Sequence, residues 1–418
     1  MRLPALVTVA LILWSPAACA AVLRVPADRP SVASALAAAA SGDTVLVAPG
    51  TYLESVTLPS GVTLRGADPA QPPVLDAGGS ARVLTISQGS ALTRLEAITL
   101  KNGQAGAGPG GGVRVVGGSL ALHDVTIASC QAAFGGALSL ENGAHVTWSG
   151  GAVTGCAASF GGAAFADGGM LALTQVTLAS NSAQTGGALY AQGASPVSLV
   201  SCSLHDNQAS ASGGAIALQQ CGASLSDCRL DHNRATGNGG ALWSGPGSGV
   251  VCSYSVFSND QAAAGGAVYA TCDGPAGAGC SLVQLAHVDL IRNQAPGSGA
   301  GGADGASRIE AQACVVAFND GGLACLDPRA TIDVGCSLLH ANGPPGSDCA
   351  GSVSDTTSAD PLLCDLAGGQ FERCAGSPTL APAACGEPYL GALGQGCPSC
   401  ATTPTQSVTW GGLKARYR

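Results

Sequence analysis

Paired glycines recur along the chain at nearly equal intervals, and this repeat constrains the fold more than any other feature. A small or aliphatic residue follows each pair, and the intervals between pairs are 25, 26, 25, 27, 26, 26, 36 and 20 residues. A period in the mid-twenties is typical of solenoids, in which one repeat buries its apolar side only by stacking on its neighbours. The nine pairs begin at Gly110, Gly135, Gly161, Gly186, Gly213, Gly239, Gly265, Gly301 and Gly321.

A second row of residues, mostly asparagines, precedes the glycine pairs with the same period. Cys130 and Cys156 occupy this position in two earlier repeats. Before each position, aliphatic and polar residues alternate, which is the pattern of a strand with one buried face. Asparagine side chains at a bend of stacked strands bond to one another from coil to coil. The predicted ladder comprises Asn181, Asn207, Asn233, Asn259, Asn293 and Asn319.

Each repeat has room for two more short strands, one directly after the glycine pair and one in the remaining residues. Three short strands and three turns per repeat predict a coil of triangular cross-section. We therefore expect an all-β fold, a single parallel β-helix of roughly twelve coils whose strands lie about 4.8 Å apart.

The first twenty residues have the features of an export leader. Arg2 precedes an apolar stretch, and Ala18-Cys19-Ala20 predicts cleavage before Ala21, with lipidation of Cys19 as the alternative. Removal of Cys19 leaves 18 − 1 = 17 cysteines, a content that suits an oxidising compartment. No later segment is apolar enough to predict a membrane-spanning helix. We expect a secreted or outer-surface protein.

The net charge and the cysteine spacing limit which partners, metals and cofactors we expect the protein to bind. A net charge of −9, with Lys101 and Lys414 as the only lysines, argues against nucleic acid. Cys397-x-x-Cys400 stands alone without a histidine cluster, so we expect no metal and no cofactor. The predicted organisation is a leader (1–20), an N-terminal segment with a capping helix (21–42), a β-helix (43–360), a cysteine-rich cap (361–400), and a linker with a basic-aromatic tail (401–418).

The repeats resemble those of bacterial right-handed parallel β-helix proteins, particularly the polymorphic outer-membrane-protein type. The likeness lies in the Gly-Gly-Ala-aliphatic rows with an asparagine upstream, and covers about residues 25 to 395. The opening is also similar to such proteins: Pro30 to Ala40 predicts a short amphipathic helix, followed by the segments Gly42 to Tyr52 and Gly61 to Gly66. The helix is expected to cover the first coil and keep its edge from pairing with other chains.

This superfold also includes pectate lyases, polygalacturonases, pectin esterases and alginate epimerases, so the resemblance leaves catalysis open. The clustered acidic residues that those enzymes use in catalysis are missing from this sequence. The segment most similar to the Asp-Pro-His-Glu motif of the epimerases is Asp327-Pro328-Arg329. The remaining candidates are two tripeptides one repeat apart. They contain His205, Asp206, Asp231 and His232. Stacking is expected to place His205 beside Asp231 and Asp206 beside His232, where the pairs support the fold or transfer protons.

Two further rows carry candidate roles. Aromatic residues recur directly after the aliphatic row, and if that row points inward they face outward, where they would stack on sugar rings or a partner protein. The alternative is that they fill the core. These residues are Phe165, Tyr190, Trp243 and Tyr269. Equivalent cysteines on adjacent coils are either disulfide-bonded or stacked buried thiols. The pairs are Cys130 with Cys156 and Cys202 with Cys228.

These observations favour an exported, non-enzymatic β-helix that acts as an adhesin-like or structural binding protein. Its expected partner is a polysaccharide or a cell-surface protein, and the sequence is silent on its oligomeric state. The alternative is a polysaccharide lyase or hydrolase of the pectate-lyase-like superfamily.

Overall fold

The computed structural model describes residues 20–86, 88–272, 279–296, 298–343, 351–383 and 385–398. The predicted leader, apart from Ala20, and the predicted tail 401–418 lie outside these ranges. Within them the chain winds as a parallel β-solenoid with three sheet faces. The solenoid has about 14 coils, slightly more than the twelve expected, because strands before and after the glycine repeats also join it.

Face 1 contains one strand from each coil, and each pairs in parallel with the next. Its first strand precedes the helix, so the solenoid already begins at Val22. The strands are Val22–Val25, Thr44–Val47, Thr63–Gly66, Thr93–Glu96, the first halves of Ser119–Ala128 and His145–Thr154, Met170–Thr174, Val197–Val200, Gly222–Ser226, Gly249–Ser253, Leu282–Ala286, Arg308–Gln312, Thr331–Gly335 and Val353–Ser354.

Face 2 follows face 1 after a bend, and face 3 follows face 2 after the ladder and the glycine pair. Face 2 comprises Thr51–Tyr52, Val74–Asp76, Thr99–Lys101, the second halves of the two long strands, Thr177–Ala179, Ser203–His205, Arg229–Asp231, Val256–Ser258, Asp289–Ile291, Val315–Ala317 and Leu338–His340. Face 3 comprises Val56–Leu58, Leu84–Ile86, Val113–Val116, Leu138–Glu141, Ala164–Asp167, Leu189–Gln192, Ile216–Gln219, Leu242–Ser244, Val268–Ala270, Gly301–Ala303 and Leu323–Cys325. A short strip between them contains Ser182–Ala183, Gln208–Ala209 and Arg234–Ala235.

The interior is one continuous apolar cluster that runs from Val25 to Val334. Alternate residues of most strands of the three faces point into it, as the period-two pattern predicted. The side chains are mostly valine, leucine, isoleucine and alanine, which pack closely between three converging sheets. Trp148 is the largest side chain buried in this interior.

Each coil turns its corners with residues in the left-handed backbone conformation. One lies between faces 1 and 2, and another lies directly before each ladder residue, where Asp206 has φ 57° and His232 has φ 54°. The glycine pairs form the third corner. Gly186 has φ +65°, and a β-carbon there would collide with the carbonyl of Leu189. Glycine is therefore required by both the backbone angle and the close approach.

The glycine repeat is regular in its first seven members and shifted in the last two. Gly301 pairs with Val268 and so lies within a face-3 strand, while Ser298 takes the corner position equivalent to Gly265. The strand pairing spans 33 residues here and not 26, which moves the corner to Ser298, and Gly301 lies three residues beyond it. Leu323 pairs with Gly301, so Gly321 lies one residue beyond the next corner. The prediction that these last two pairs continue the corner row is therefore wrong.

The ends of the described chain carry additional structure. Helix Val32–Ala38 begins at a Ser31 capping box and buries Val32, Ala35 and Leu36 in the core, close to the predicted Pro30 to Ala40 segment. The C-terminal segment contains strands Leu363–Asp365, Gln370–Cys374 and Gln395–Cys397 and the 3₁₀ helix Pro378–Leu380.

This C-terminal segment folds back along the outside of face 2. Leu363 and Phe371 pack on Ile291, and Leu390 packs on Val315. The Cys336–Cys385 disulfide ties the segment to the solenoid, and Cys364–Cys397 closes it on itself. The segment therefore covers the side of the last coils rather than only their end.

Candidate functional site

The predicted ladder lies in the interior at the corner after face 2. Asn207 Oδ1 accepts from the backbone N–H and the side-chain amide of Asn181, at 3.0 and 3.1 Å. Its own Nδ2 donates to Asn233 Oδ1 at 3.0 Å and to the carbonyl of Leu178 at 2.9 Å. Asn293 and Asn319 repeat this pattern. The ladder satisfies backbone groups that the bend removes from the sheets, so its role is structural.

Asn259 is not a member of the ladder, contrary to the prediction. Asp260 occupies the position instead and is completely buried, while Asn259 has φ 56° and donates to Asp231 from the outer surface. The cause is one extra residue in the turn near Gly247, because Leu218 pairs with Ser244 at 26 residues whereas Gly222 pairs with Gly249 at 27. Asparagine tolerates the left-handed conformation, which is why it fits the neighbouring position.

Asp260 is an acid in a row of amides. Its Oδ1 accepts from the backbone N–H and side chain of Asn233 at 2.8 and 3.0 Å, while its Oδ2 has no partner among the described residues. Burial raises the pKa of Asp260 well above its ordinary range, and the bonds from Asn233 oppose that rise only in part. Burial therefore favours the neutral form of Asp260.

The two histidine-aspartate tripeptides lie together on the outer surface of face 2, as predicted. His205 and Asp231 are direct partners on adjacent strands. The hydrogen bonds, however, form within each coil: His205 Nδ1 lies 2.8 Å from Asp206 Oδ2, and His232 Nδ1 lies 2.8 Å from Asp231 Oδ2. His205 therefore lies beside Asp231 as expected, but the side-chain hydrogen bonds join residues of the same coil and not residues of adjacent coils.

Asp231 is the most strongly bound group of this cluster. Its Oδ1 accepts from Ser258 Oγ at 2.6 Å and from Asn259 Nδ2 at 2.9 Å, and His232 contacts its Oδ2. Burial alone raises the pKa of Asp231, but the hydrogen bonds from Ser258, Asn259 and His232 outweigh it and lower the pKa below its ordinary value. The Asp231 side chain is only 17% exposed, against 60% for Asp206 and for His232.

The predicted aromatic row lies outside the core but is covered. Phe165, Tyr190 and Tyr269 are 5%, 4% and 3% exposed and form no part of the main core cluster. Phe134 packs on Phe165 and Phe160 packs on Tyr190, so the corner segments cover these two members of the row, and Phe165 stacks on Tyr190 at 5.8 Å. The rings therefore attach the glycine corners to face 3.

Little of this aromatic surface is left for a ligand. Trp243 is half-buried, and Phe134 is 36% exposed. The sequence pattern correctly placed the aromatic row outside the core. The side chains that cover it come from a different part of the repeat.

The four stacked cysteines are free and buried, which is the second of the two predicted alternatives. Cys130 and Cys156 lie in the ladder, where Cys156 accepts from the Cys130 backbone and its own N–H bonds to Asn181 Oδ1. Cys202 and Cys228 donate to carbonyls of the preceding coil, each at 3.5 Å. The sulfurs thus replace polar ladder groups in a small space.

The C-terminal segment contributes two sites of its own. Asp289 and Arg373 are both completely buried, and their Oδ1 and Nη2 atoms lie 2.7 Å apart where the segment meets face 2. Three sulfurs gather nearby, from Cys364, Cys374 and Cys397. Since Cys364 is bonded to Cys397 and Cys374 is also disulfide-bonded, these sulfurs are not available as thiolate ligands.

Sequence reasoning missed two shallow clefts, both on the corner after the ladder. One, of about 340 Å³, is lined by Arg234, Gln261 and Gln294 among others. The second, of about 440 Å³, includes Gln104 and Gln131. The sequence does contain a pattern that indicates these clefts, because a polar residue with a long side chain directly follows most ladder positions.

Comparison with known proteins shows distant similarity to solved structures. No protein-family description matches the chain, and no curated protein matches it. Among solved structures, the chain is similar to the A-module of the mannuronan C-5 epimerase AlgE6 from Azotobacter vinelandii, with 14% sequence identity and a TM-score of 0.35. The match covers 79% of this chain and 93% of the module. Among the described residues, no helix has the length and apolar character needed to traverse a bilayer.

Proposed function

We propose that this chain is an extracellular, non-enzymatic parallel β-helix that binds a polysaccharide or a cell-surface protein through its outer surface. The observation that carries the proposal is the bonding of Asp231, the least exposed carboxylate in the strongest catalytic candidate. It accepts from Ser258, Asn259 and His232, and its pKa is lowered. A carboxylate so stabilised as an anion is a poor proton acceptor and a poor acid, so a structural role suits it better.

The disulfides support an oxidising compartment. One disulfide, Cys272–Cys280, lies in the turn between face 3 and face 1. Two others, Cys336–Cys385 and Cys364–Cys397, hold the C-terminal segment in place. Together with the predicted leader, they support export.

The first test is an assay for catalysis. Purified protein is incubated with pectate, polygalacturonate and alginate, and new reducing ends and unsaturated products are measured. The proposal expects no turnover from the wild type and the same null result from His205→Ala. Turnover by the wild type that disappears in this variant would refute it.

One observation favours the second candidate function, a polysaccharide-active enzyme. In each His–Asp pair Nδ1 is held by a carboxylate, and neither Nε2 has a partner among the described residues. This is the arrangement that orients an imidazole for proton transfer. A pH-dependent turnover lost in both His205→Ala and His232→Ala would establish this function instead.

A further inference from the structure

A strip of polar side chains follows the ladder along one corner of the solenoid. Each position pairs in parallel with its counterpart on the next coil, so the strip is continuous and spans about 34 Å over seven intervals of about 4.8 Å. We call it the corner strip. It comprises Gln104, Gln131, Ala157, Ser182, Gln208, Arg234, Gln261 and Gln294.

The long side chains of the corner strip are unpartnered. Among the described residues, the amides of Gln208, Gln261 and Gln294 and the guanidinium of Arg234 form no hydrogen bond or ion pair with the protein. Arg234 is exposed, and its neighbours are exposed or half-buried.

Charged groups on the other faces behave differently. Arg114 makes two bonds to Glu141, at 3.2 and 3.0 Å, and Arg308 bonds to Asp333 at 2.9 Å. The corner strip therefore presents a row of free donors and acceptors, whereas Arg114 and Arg308 are paired within the protein.

Both clefts on this corner are lined by the strip. Arg234, Gln261 and Gln294 line one, with Thr236 and Asp320 beside them. Gln104 and Gln131 line the other, where Leu53, 78% exposed, adds an apolar surface. The two clefts lie along the same corner of the solenoid, because the strip connects them coil by coil.

We infer that the corner strip binds an extended, unbranched polysaccharide chain that lies parallel to the solenoid axis. This rests on the proposed function and names the site and the ligand class for it. A glutamine amide both donates and accepts, as a sugar hydroxyl does, and arginine supplies several donors in a fixed plane. The interval between coils is close to the length of one pyranose unit in an extended chain, so successive side chains meet successive sugars.

The test compares the wild type with a triple variant, Arg234→Ala/Gln261→Ala/Gln294→Ala. The matched control is Gln192→Ala/Gln312→Ala, which removes two amides from faces 3 and 1 that also have no hydrogen-bond partner among the described residues. The probes are hydroxyethyl cellulose, xylan, polygalacturonate and alginate, each cast into a native gel for affinity electrophoresis. Thermal unfolding shows whether each variant folds, and Arg234→Ala alone serves if the triple variant does not.

At least one polysaccharide is expected to retard the wild type and the control equally. The association constant of the triple variant should fall about tenfold or more, since several hydrogen bonds to one ligand are lost together. Equal retardation of the triple variant would overturn the inference and leave the proposed function in place. Absence of retardation by all four probes, with binding to cells that protease treatment removes, would also overturn it and indicate a protein partner. Turnover of a probe would instead refute the proposed function.

Discussion

Replacing Asp260 by asparagine should stabilise this protein, and the gain should depend on pH. At neighbouring ladder positions, the asparagine Nδ2 donates to the backbone carbonyl three residues before the preceding ladder residue. Asn233 Nδ2 donates in this way to the carbonyl of Leu204 at 3.0 Å. For Asp260 the equivalent carbonyl belongs to Leu230. The side-chain atom of Asp260 that corresponds to Nδ2 is Oδ2, which has no partner among the described residues. Only a protonated oxygen can donate there, in agreement with the raised pKa.

The magnitude follows from proton linkage. A carboxyl with an unfolded pKa of about 3.9 that stays protonated in the native state at pH 7 reduces stability by about 4 kcal/mol, at about 1.4 kcal/mol per pH unit. Because the folded pKa is raised, the stabilising contribution of Asp260 is complete below the unfolded pKa and is lost as pH rises toward the folded one. Asp260→Asn removes this loss, so it should add up to about 4 kcal/mol at pH 7 and less than about 1 kcal/mol near pH 4.

The assay is urea unfolding followed by circular dichroism at pH 4 and pH 7. The converse variant Asn233→Asp is the control: it places a second acid in the ladder and should lower the midpoint at pH 7 far more than at pH 4. A gain for Asp260→Asn that is the same at both pH values, or a lower midpoint at pH 7, would show that Asp260 is not held protonated.

Three further outcomes are expected. Asn207→Ala leaves its ladder partners unsatisfied and should lower the unfolding free energy by about 3 kcal/mol or more, measured by urea unfolding. Arg373→Met leaves Asp289 as an uncompensated buried charge, which should cost about 3–5 kcal/mol and make the C-terminal segment sensitive to limited proteolysis. The double variant Arg373→Met/Asp289→Leu should recover part of that loss, and no recovery would contradict this reasoning. The buried free thiols should resist alkylation, mapped by mass spectrometry, until the chain is unfolded, because burial blocks access to them. Cys252 and Cys314 should be the most resistant, since burial also raises the pKa of each to about 12.

The period of the repeat was sufficient to predict the solenoid, its parallel sheets and its ladder. Each coil contacts mainly the coils beside it, so a local pattern that repeats carries the global fold. The same locality explains the error at Asn259. This coil has one additional residue near Gly247 and one residue fewer after Gln261, so the spacing of the glycine pairs is unchanged. The strand between these two points is nevertheless shifted by one residue. Residue type alone did not distinguish a ladder position from the left-handed position beside it.

The sequence by itself therefore determined the architecture, the inward and outward rows, and the nearness of the two His–Asp tripeptides. Only the tertiary structure decided which outward groups are reachable. Phe134 and Phe160 cover Phe165 and Tyr190 of the aromatic row. Three neighbouring side chains bind Asp231, and the C-terminal segment covers part of face 2. The physical reason is that strand alternation follows from the chain's own backbone geometry, whereas exposure depends on segments that fold back from elsewhere in the repeat or from the end of the described chain.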